Sequence, residues 1–196
     1  MNGKDRGLKV AVVAALVISV IAIGIGFAAF TETLSINGNA TVQTSSWKVK
    51  FTDLSTGITA GTASITTAPT INTNDTTIST YDVKLAKPGD SVTYTFKVAN
   101  TGTYDAKLTS VTIPTPTCTG SGDNAETDAT NVCKHVTYSL TYSDGGTIAV
   151  NDALAKGTSK EMKLVLSYDT HNVAADLPSG DVTISNLGIS LVYSQS

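Results

Sequence analysis

From Trp47 onward, apolar residues fall on every second position through most of the chain. Trp47, Val49 and Phe51 alternate with Lys48 and Lys50; Val92, Tyr94, Phe96 and Val98 alternate with Thr and Lys; Val136, Tyr138, Leu140 and Tyr142 form a third run, and Met162, Leu164, Leu166 and Tyr168 a fourth. A period of two sends successive side chains to opposite faces of an extended chain, so each run predicts a strand with one buried side. Shorter strands are predicted at Val83 and Leu85, after Asn100 as far as Ile113, and through Ile148 and Val150. The runs are separated by Pro88-Gly89-Asp90, Asn100-Thr101-Gly102 and Asp144-Gly145-Gly146, which supply turn chemistry. Between Asp53 and Thr80 the isoleucines at 58, 65, 71 and 78 are widely spaced in a Thr-rich stretch, which predicts edge strands and long loops. Near the C-terminus the apolar phase shifts from Val182 and Ile184 to Leu187, Ile189, Leu191 and Tyr193, as one extra residue in a β-bulge near Ser185-Asn186 would produce. About eight to ten strands with close turns, and no long helix among them, predict an all-β fold: an antiparallel two-sheet β-sandwich, jelly-roll or immunoglobulin-like. No long internal repeat suggests a solenoid.

The N-terminus follows a different pattern. Lys4, Arg6 and Lys9 precede an uncharged run from Val10 to Phe30. At 21 residues it exceeds a usual secretory core and reaches the length of a membrane span, so it predicts an N-terminal hydrophobic helix of either kind. The basic residues ahead of it predict a cytoplasmic N-terminus and an exported remainder. Gly26 and Ala28 place small side chains at the −3 and −1 positions of a cut before Ala29. The expected organisation is therefore a signal peptide or membrane anchor over 1–28 and an exported domain over 29–196. Just past the cut, Leu34 and Ile36, then Ala40 and Val42, flank Asn37-Gly38-Asn39, which predicts a tight hairpin or one long bulged strand. No apolar tail follows the last run, and Leu177-Pro178-Ser179-Gly180 is not a wall-sorting signal, so an anchor is expected only at the N-terminus.

Composition narrows the function classes. Apolar residues make up 41% of the chain, enough for a core, whereas charged residues are only 15% and the formal net charge is −3. No basic stripe would draw a phosphate backbone, which argues against nucleic acid. Cys118 and Cys133 form an even pair in the exported part and are expected to bridge, stabilising the fold by roughly 3 kcal/mol in the chain-entropy model. They are half a ligand set at most, so no metal is expected there. The two histidines, His135 and His171, belong to no HExxH or HxH motif, and the chain has no GxSxG elbow, phosphate loop or GxGxxG. They are expected to be a strand-end surface residue and a loop residue. Asp169, Asp176 and Asp181 fit no calcium-loop spacing and are expected to be solvated turn carboxylates. Neither an enzyme activity, nor a cofactor, nor a small-molecule substrate is expected.

The order "GFAAFTETLSINGNATV", "WKVKF", "LAKPGDSVTYTFKVANTGTYDAKL" and a terminal "LVYSQS" resembles the TasA/camelysin family of exported bacterial proteins. The resemblance implies a jelly-roll-like sandwich that builds extracellular matrix or surface fibres, with processing just before the Ala29-Phe30 pair. It also implies a mechanism. After cleavage, Phe30, Leu34, Ile36, Ala40 and Val42 would lie on one side of a strand that either pairs within its own domain or completes the sheet of the next subunit, the second giving a homopolymer. A contact of that kind does not close on itself, so it extends into a filament. The metalloprotease activity ascribed to the camelysin branch is not carried over, because the ligands are missing. The alternative is a membrane-anchored sandwich that keeps residues 10–30 and displays a binding face, for instance the acidic Cys118–Cys133 segment.

Overall fold

The computed structural model describes residues 9–16, 40–41 and 44–196. The chain divides into two compact units, Met1–Gln43 and Thr44–Ser196. In the first, residues 9–16 form helical turns, α1, with Val10, Val12, Val13 and Leu16 exposed; Ala40 and Thr41 are exposed and in neither helix nor strand. Among the described residues no helix is long and apolar enough to cross a membrane.

The second unit is built from antiparallel strands. They are β1 Val49–Thr52, β2 Ile58–Ala60, β3 Ser64–Thr67, β4 Asp82–Lys84, β5 Ser91–Asn100, β6 Ala106–Thr112, β7 Thr117–Gly120, β8 Val136–Tyr142, β9 Ala153–Leu154, β10 Ser159–Tyr168, β11 Val182–Ser185 and β12 Ser190–Gln195. A helix, α2 (Ala125–Lys134), lies between β7 and β8, and a 3-10 turn covers Ala174–Asp176. The largest sheet runs β1-β5-β10-β8, and β2 pairs with the far end of β5. A second sheet runs β12-β6-β9, and two small ladders join β11 to β7 and β3 to β4. The long alternating run at 91–100 forms the spine: Val92, Tyr94, Phe96, Val98 and Asn100 are buried in strict alternation. Buried side chains from the two larger sheets meet in one cluster. Phe96, Val98, Leu140 and Met162 come from the first, and Ala106, Leu108 and Leu154 from the second. Burial of each large apolar side chain stabilises by about 1.5–3 kcal/mol, so this cluster is the main support of the fold.

Three expectations change. The Cys118–Cys133 segment contains a helix where only a loop was expected. Its composition is turn-like, but Glu126 and Asp128 in the first turn and Lys134 in the last suit the helix dipole, and Asp128 and Val132 share a buried face. The phase shift after Ile184 is no bulge. There β11 ends, Asn186 turns at φ 60°, and β12 begins in another sheet; the register irregularity falls instead between Val192 and Tyr193. The three consecutive strands from Asp82 to Thr112 are present, but each belongs to a different sheet.

Candidate functional site

Strand β8 forms one border of the largest sheet. Its side-chain alternation fixes which face is buried, while its backbone phase fixes what it offers sideways. The Ser143 N–H donates to the Glu161 carbonyl (3.0 Å) and the Asp169 N–H to the His135 carbonyl (2.7 Å), so odd-numbered residues of this strand bond to β10. Even-numbered residues therefore turn their N–H and C=O groups away from the sheet. The Tyr142 N–H is used by the Gly146 carbonyl (2.9 Å) in the following turn. For Val136, Tyr138 and Leu140, no main-chain hydrogen bond from the described residues meets the outward groups. The opposite border differs: β1 is short, and its outward Phe51 N–H already donates to the Asp75 carbonyl (2.7 Å). Among the described residues, strand β8 is thus the longer and less occupied edge of this sheet.

Buried polar groups hold the spine at both ends. Asp90, fully buried, accepts from the Thr62 N–H (2.7 Å), the Ala86 N–H (2.6 Å), the Lys87 N–H (3.1 Å) and the Thr62 hydroxyl. Burial alone would push this carboxyl up, but those donors outweigh it and hold it below the usual aspartate range. At the other end Asn100 donates to the carbonyls of Tyr104 (2.8 Å) and Leu154 (3.0 Å) and accepts from the Gly102 N–H (3.1 Å). A Cβ on Gly102 would lie 2.7 Å from the Ser46 carbonyl oxygen, so the turn there requires glycine. Beside β8, the Tyr138 hydroxyl donates to the Leu187 carbonyl, and Tyr81 packs on Tyr94 with ring centres 5.0 Å apart. Burial, then the neighbouring Tyr81, pushes the Tyr94 phenol up to about 12.

Immediately before β8 lies the disulfide segment. Cys118 of β7 is bonded to Cys133 of α2, as expected from the sequence. Asp128, buried, accepts from the N–H and hydroxyl of Ser179 and from the Gly180 N–H, each at 2.9 Å, tying α2 to the 174–181 segment. His135, at the C-cap of α2, lies 3.1 Å from Asp176 and stacks on His171 at 3.8 Å. The hydrogen bond from His135 holds the Asp176 carboxyl low, against a smaller opposing effect of burial. His171 in turn lies 3.2 Å from the Tyr168 hydroxyl. His135, expected as a strand-end surface residue, and His171, expected in a loop, are therefore in contact. Asp169 accepts from the hydroxyls of Thr137 (2.6 Å) and Ser167 (2.7 Å). Among the described residues no group of three or more His, Cys, Asp or Glu could hold a metal ion.

The cleavage residues Gly26, Ala28 and Ala29, and the strand-exchange residues Phe30, Leu34, Ile36 and Val42, lie outside the described residues; Ala40 is exposed. The outward edge of β8 and the anchors Asp90, Asn100 and Asp128 escaped the sequence reading. The PGD and NTG turns were visible as turns, but nothing in them says that a side chain is buried. Comparisons with protein-family models, with curated proteins and with solved structures return no match for this chain.

Proposed function

We propose that this chain is an exported structural protein of the cell surface or matrix, which self-assembles by adding a strand from one copy to a sheet edge of the next. The observation that carries this reading is the outer edge of β8, where no main-chain hydrogen bond from the described residues meets Val136, Tyr138 and Leu140. The donor would be the segment after residue 28, whose apolar residues Phe30, Leu34, Ile36, Ala40 and Val42 fall on even positions, the spacing that puts them on one side of a strand if this segment pairs as one. The domain over 29–196 is, in this reading, a two-layer sandwich of the β1-β5-β10-β8 and β12-β6-β9 sheets. The disulfide supports an oxidising compartment, consistent with export. The resemblance to the TasA/camelysin family points the same way.

The three outward residues offer up to six main-chain hydrogen bonds, each contributing about 1 kcal/mol net, roughly 6 kcal/mol in all. That corresponds to a dissociation constant of about tens of micromolar before the cost of ordering the donor. Burial of donor side chains must therefore add to it for filaments to persist. Hydrogen exchange on protein starting at Ala29 tests the reading. Assembly should slow exchange at the Val136, Tyr138 and Leu140 amides, and deletion of residues 29–43 should abolish filaments in electron micrographs. Failure to form filaments, or filaments whose β8 amides still exchange freely, overturns it.

The exposed valines of α1 favour a second reading, a membrane-anchored module that keeps the N-terminal segment. N-terminal sequencing of protein from cells separates the two: Ala29 supports release and Met1 supports anchorage.

A further inference from the structure

At the β1 border, opposite β8 in the sheet order, a groove of about 190 Å³ runs between β1 and β12. Its apolar surface includes Trp47, Phe51 and Tyr193, and its polar surface Lys50, Asp75 and Thr76. Trp47 stands at 45% exposure, so an aromatic face meets solvent here. The polar side is fixed in place. Asp75 adopts φ 59°, the left-handed conformation that Asp takes more readily than most residues and that suits a tight turn. Its carbonyl accepts from Phe51 of β1 (2.7 Å), its own N–H donates to the Asn72 carbonyl (3.0 Å), and the Asn72 side chain accepts from the N–H groups of Thr76 (2.9 Å) and Thr77 (3.1 Å). Chain from a separate loop is thus pinned against β1 with one carboxylate and one hydroxyl on the groove.

We propose that this groove binds a single neutral sugar ring, with the apolar face of a pyranose on the aromatic side and its hydroxyls toward Asp75, Lys50 and Thr76. Three features select that ligand class. The Asp75 carboxylate is already paired with the Lys50 ammonium at 3.3 Å. A cationic ligand would have to displace Lys50 and an anionic one Asp75, so the local charge balance favours a neutral molecule. The pair still offers an acceptor and a donor side by side, and Thr76 adds a group that does both, as vicinal hydroxyls require. The volume is below the roughly 300–1,000 Å³ of a site for a drug-sized molecule, which suits one ring and leaves the rest of a polymer outside. The ligand is a hexose or N-acetylhexosamine, free or within a polysaccharide. The site does not rest on strand exchange, because the two features occupy different borders of the sheet.

The chain has one tryptophan, so Trp47 fluorescence reports on the groove directly. Protein starting at Ala29 is titrated with glucose, galactose, mannose, N-acetylglucosamine and their short oligomers, and separately with choline and inorganic phosphate. At least one sugar should give a saturable change in emission. Asp75→Asn should weaken it about tenfold, the loss of roughly one good hydrogen bond. Trp47→Ala, at an exposed position, should keep a native amide NMR spectrum yet lose the sugar-dependent shifts at Lys50 and Thr76. No saturable response to any sugar overturns the proposal, as does a response to choline or phosphate alone, or one that survives both substitutions.

Discussion

Replacing Asp90 by Asn changes one atom of the side chain and should nevertheless be costly. In the wild-type cradle one carboxylate oxygen faces the Thr62 N–H at 2.7 Å, and the other faces the N–H groups of Ala86 and Lys87 at 2.6 and 3.1 Å. An amide must turn its NH2 toward one of these sides, so at least one buried main-chain donor loses its acceptor and meets another donor. There is no room to rearrange: a Cβ on Gly61 would already lie 2.3 Å from the same carboxylate. An unsatisfied buried donor costs about 1–3 kcal/mol, and the surviving bonds lose their charge assistance, so the expected destabilisation is about 3 kcal/mol. In urea, with a slope of about 2 kcal/mol/M, the midpoint should fall by about 1.5 M. The pH dependence supplies a second readout. The Asp90 carboxyl is held below its ordinary value in the folded protein, so its contribution is complete above the unfolded value of about 4 and is lost as pH falls through the folded one. The wild type should weaken across that acid range, and Asp90→Asn should lack this part of the slope. A variant within about 0.5 kcal/mol of wild type at pH 7, or one with the same acid slope, would refute the assignment of Asp90 as an anchor.

Three further outcomes are expected. Replacing Cys118 and Cys133 together by Ser opens a loop of sequence separation 15 and should cost about 3 kcal/mol, read as a lower melting temperature that reductant does not lower further. Asp128→Ala removes the acceptor shared by Ser179 and Gly180, so limited proteolysis should cut first within 174–181, with an overall loss of about 2 kcal/mol in urea. Asn100→Ala leaves the Gly102 N–H and two carbonyls without their partner and should cost about 2–3 kcal/mol, measured by the same unfolding assay.

What was legible in the sequence is what a single strand says about itself. Val92, Tyr94, Phe96 and Val98 had to face one way because a pleated chain alternates, and all four are buried. The pairing was not legible, because alternation carries no information about which neighbour supplies the hydrogen bonds. The segment 82–112 reads as three strands in succession, yet they enter three sheets. The switch at Asn186 looks like a bulge for the same reason: a phase shift shows that the backbone changes face, while only tertiary contacts decide whether it stays in the sheet. Helix α2 was hidden by a composition of Thr, Asn and Asp that favours turns in isolation. It persists because Asp128 and Val132 are buried and the disulfide holds its last turn.

This division between face and edge also bears on function. The inward face of β8 is set by its own sequence, so Val136, Tyr138, Leu140 and Tyr142 predict a core strand and nothing more. In the proposed assembly, its contribution lies in the perpendicular direction, where the identity of the side chains is irrelevant and only the hydrogen-bond phase against β10 counts. That phase is fixed by the turn at 143–146 and by the start of the strand after α2, since the Ser143 and Asp169 amides set the register from either end. The disulfide and Asp128 constrain α2, and α2 delivers the chain into β8, so in the proposed assembly this segment acts as a clamp on the phase of the β8 edge. In the proposed assembly, breaking the clamp should impair elongation beyond its effect on the core: in the Cys118 and Cys133 double variant, the amide protection of β5 and β10 should fall by no more than the global loss of about 3 kcal/mol, while filament elongation slows even where nearly all molecules are folded. Unchanged elongation by the folded variant would mean that the clamp serves only global stability.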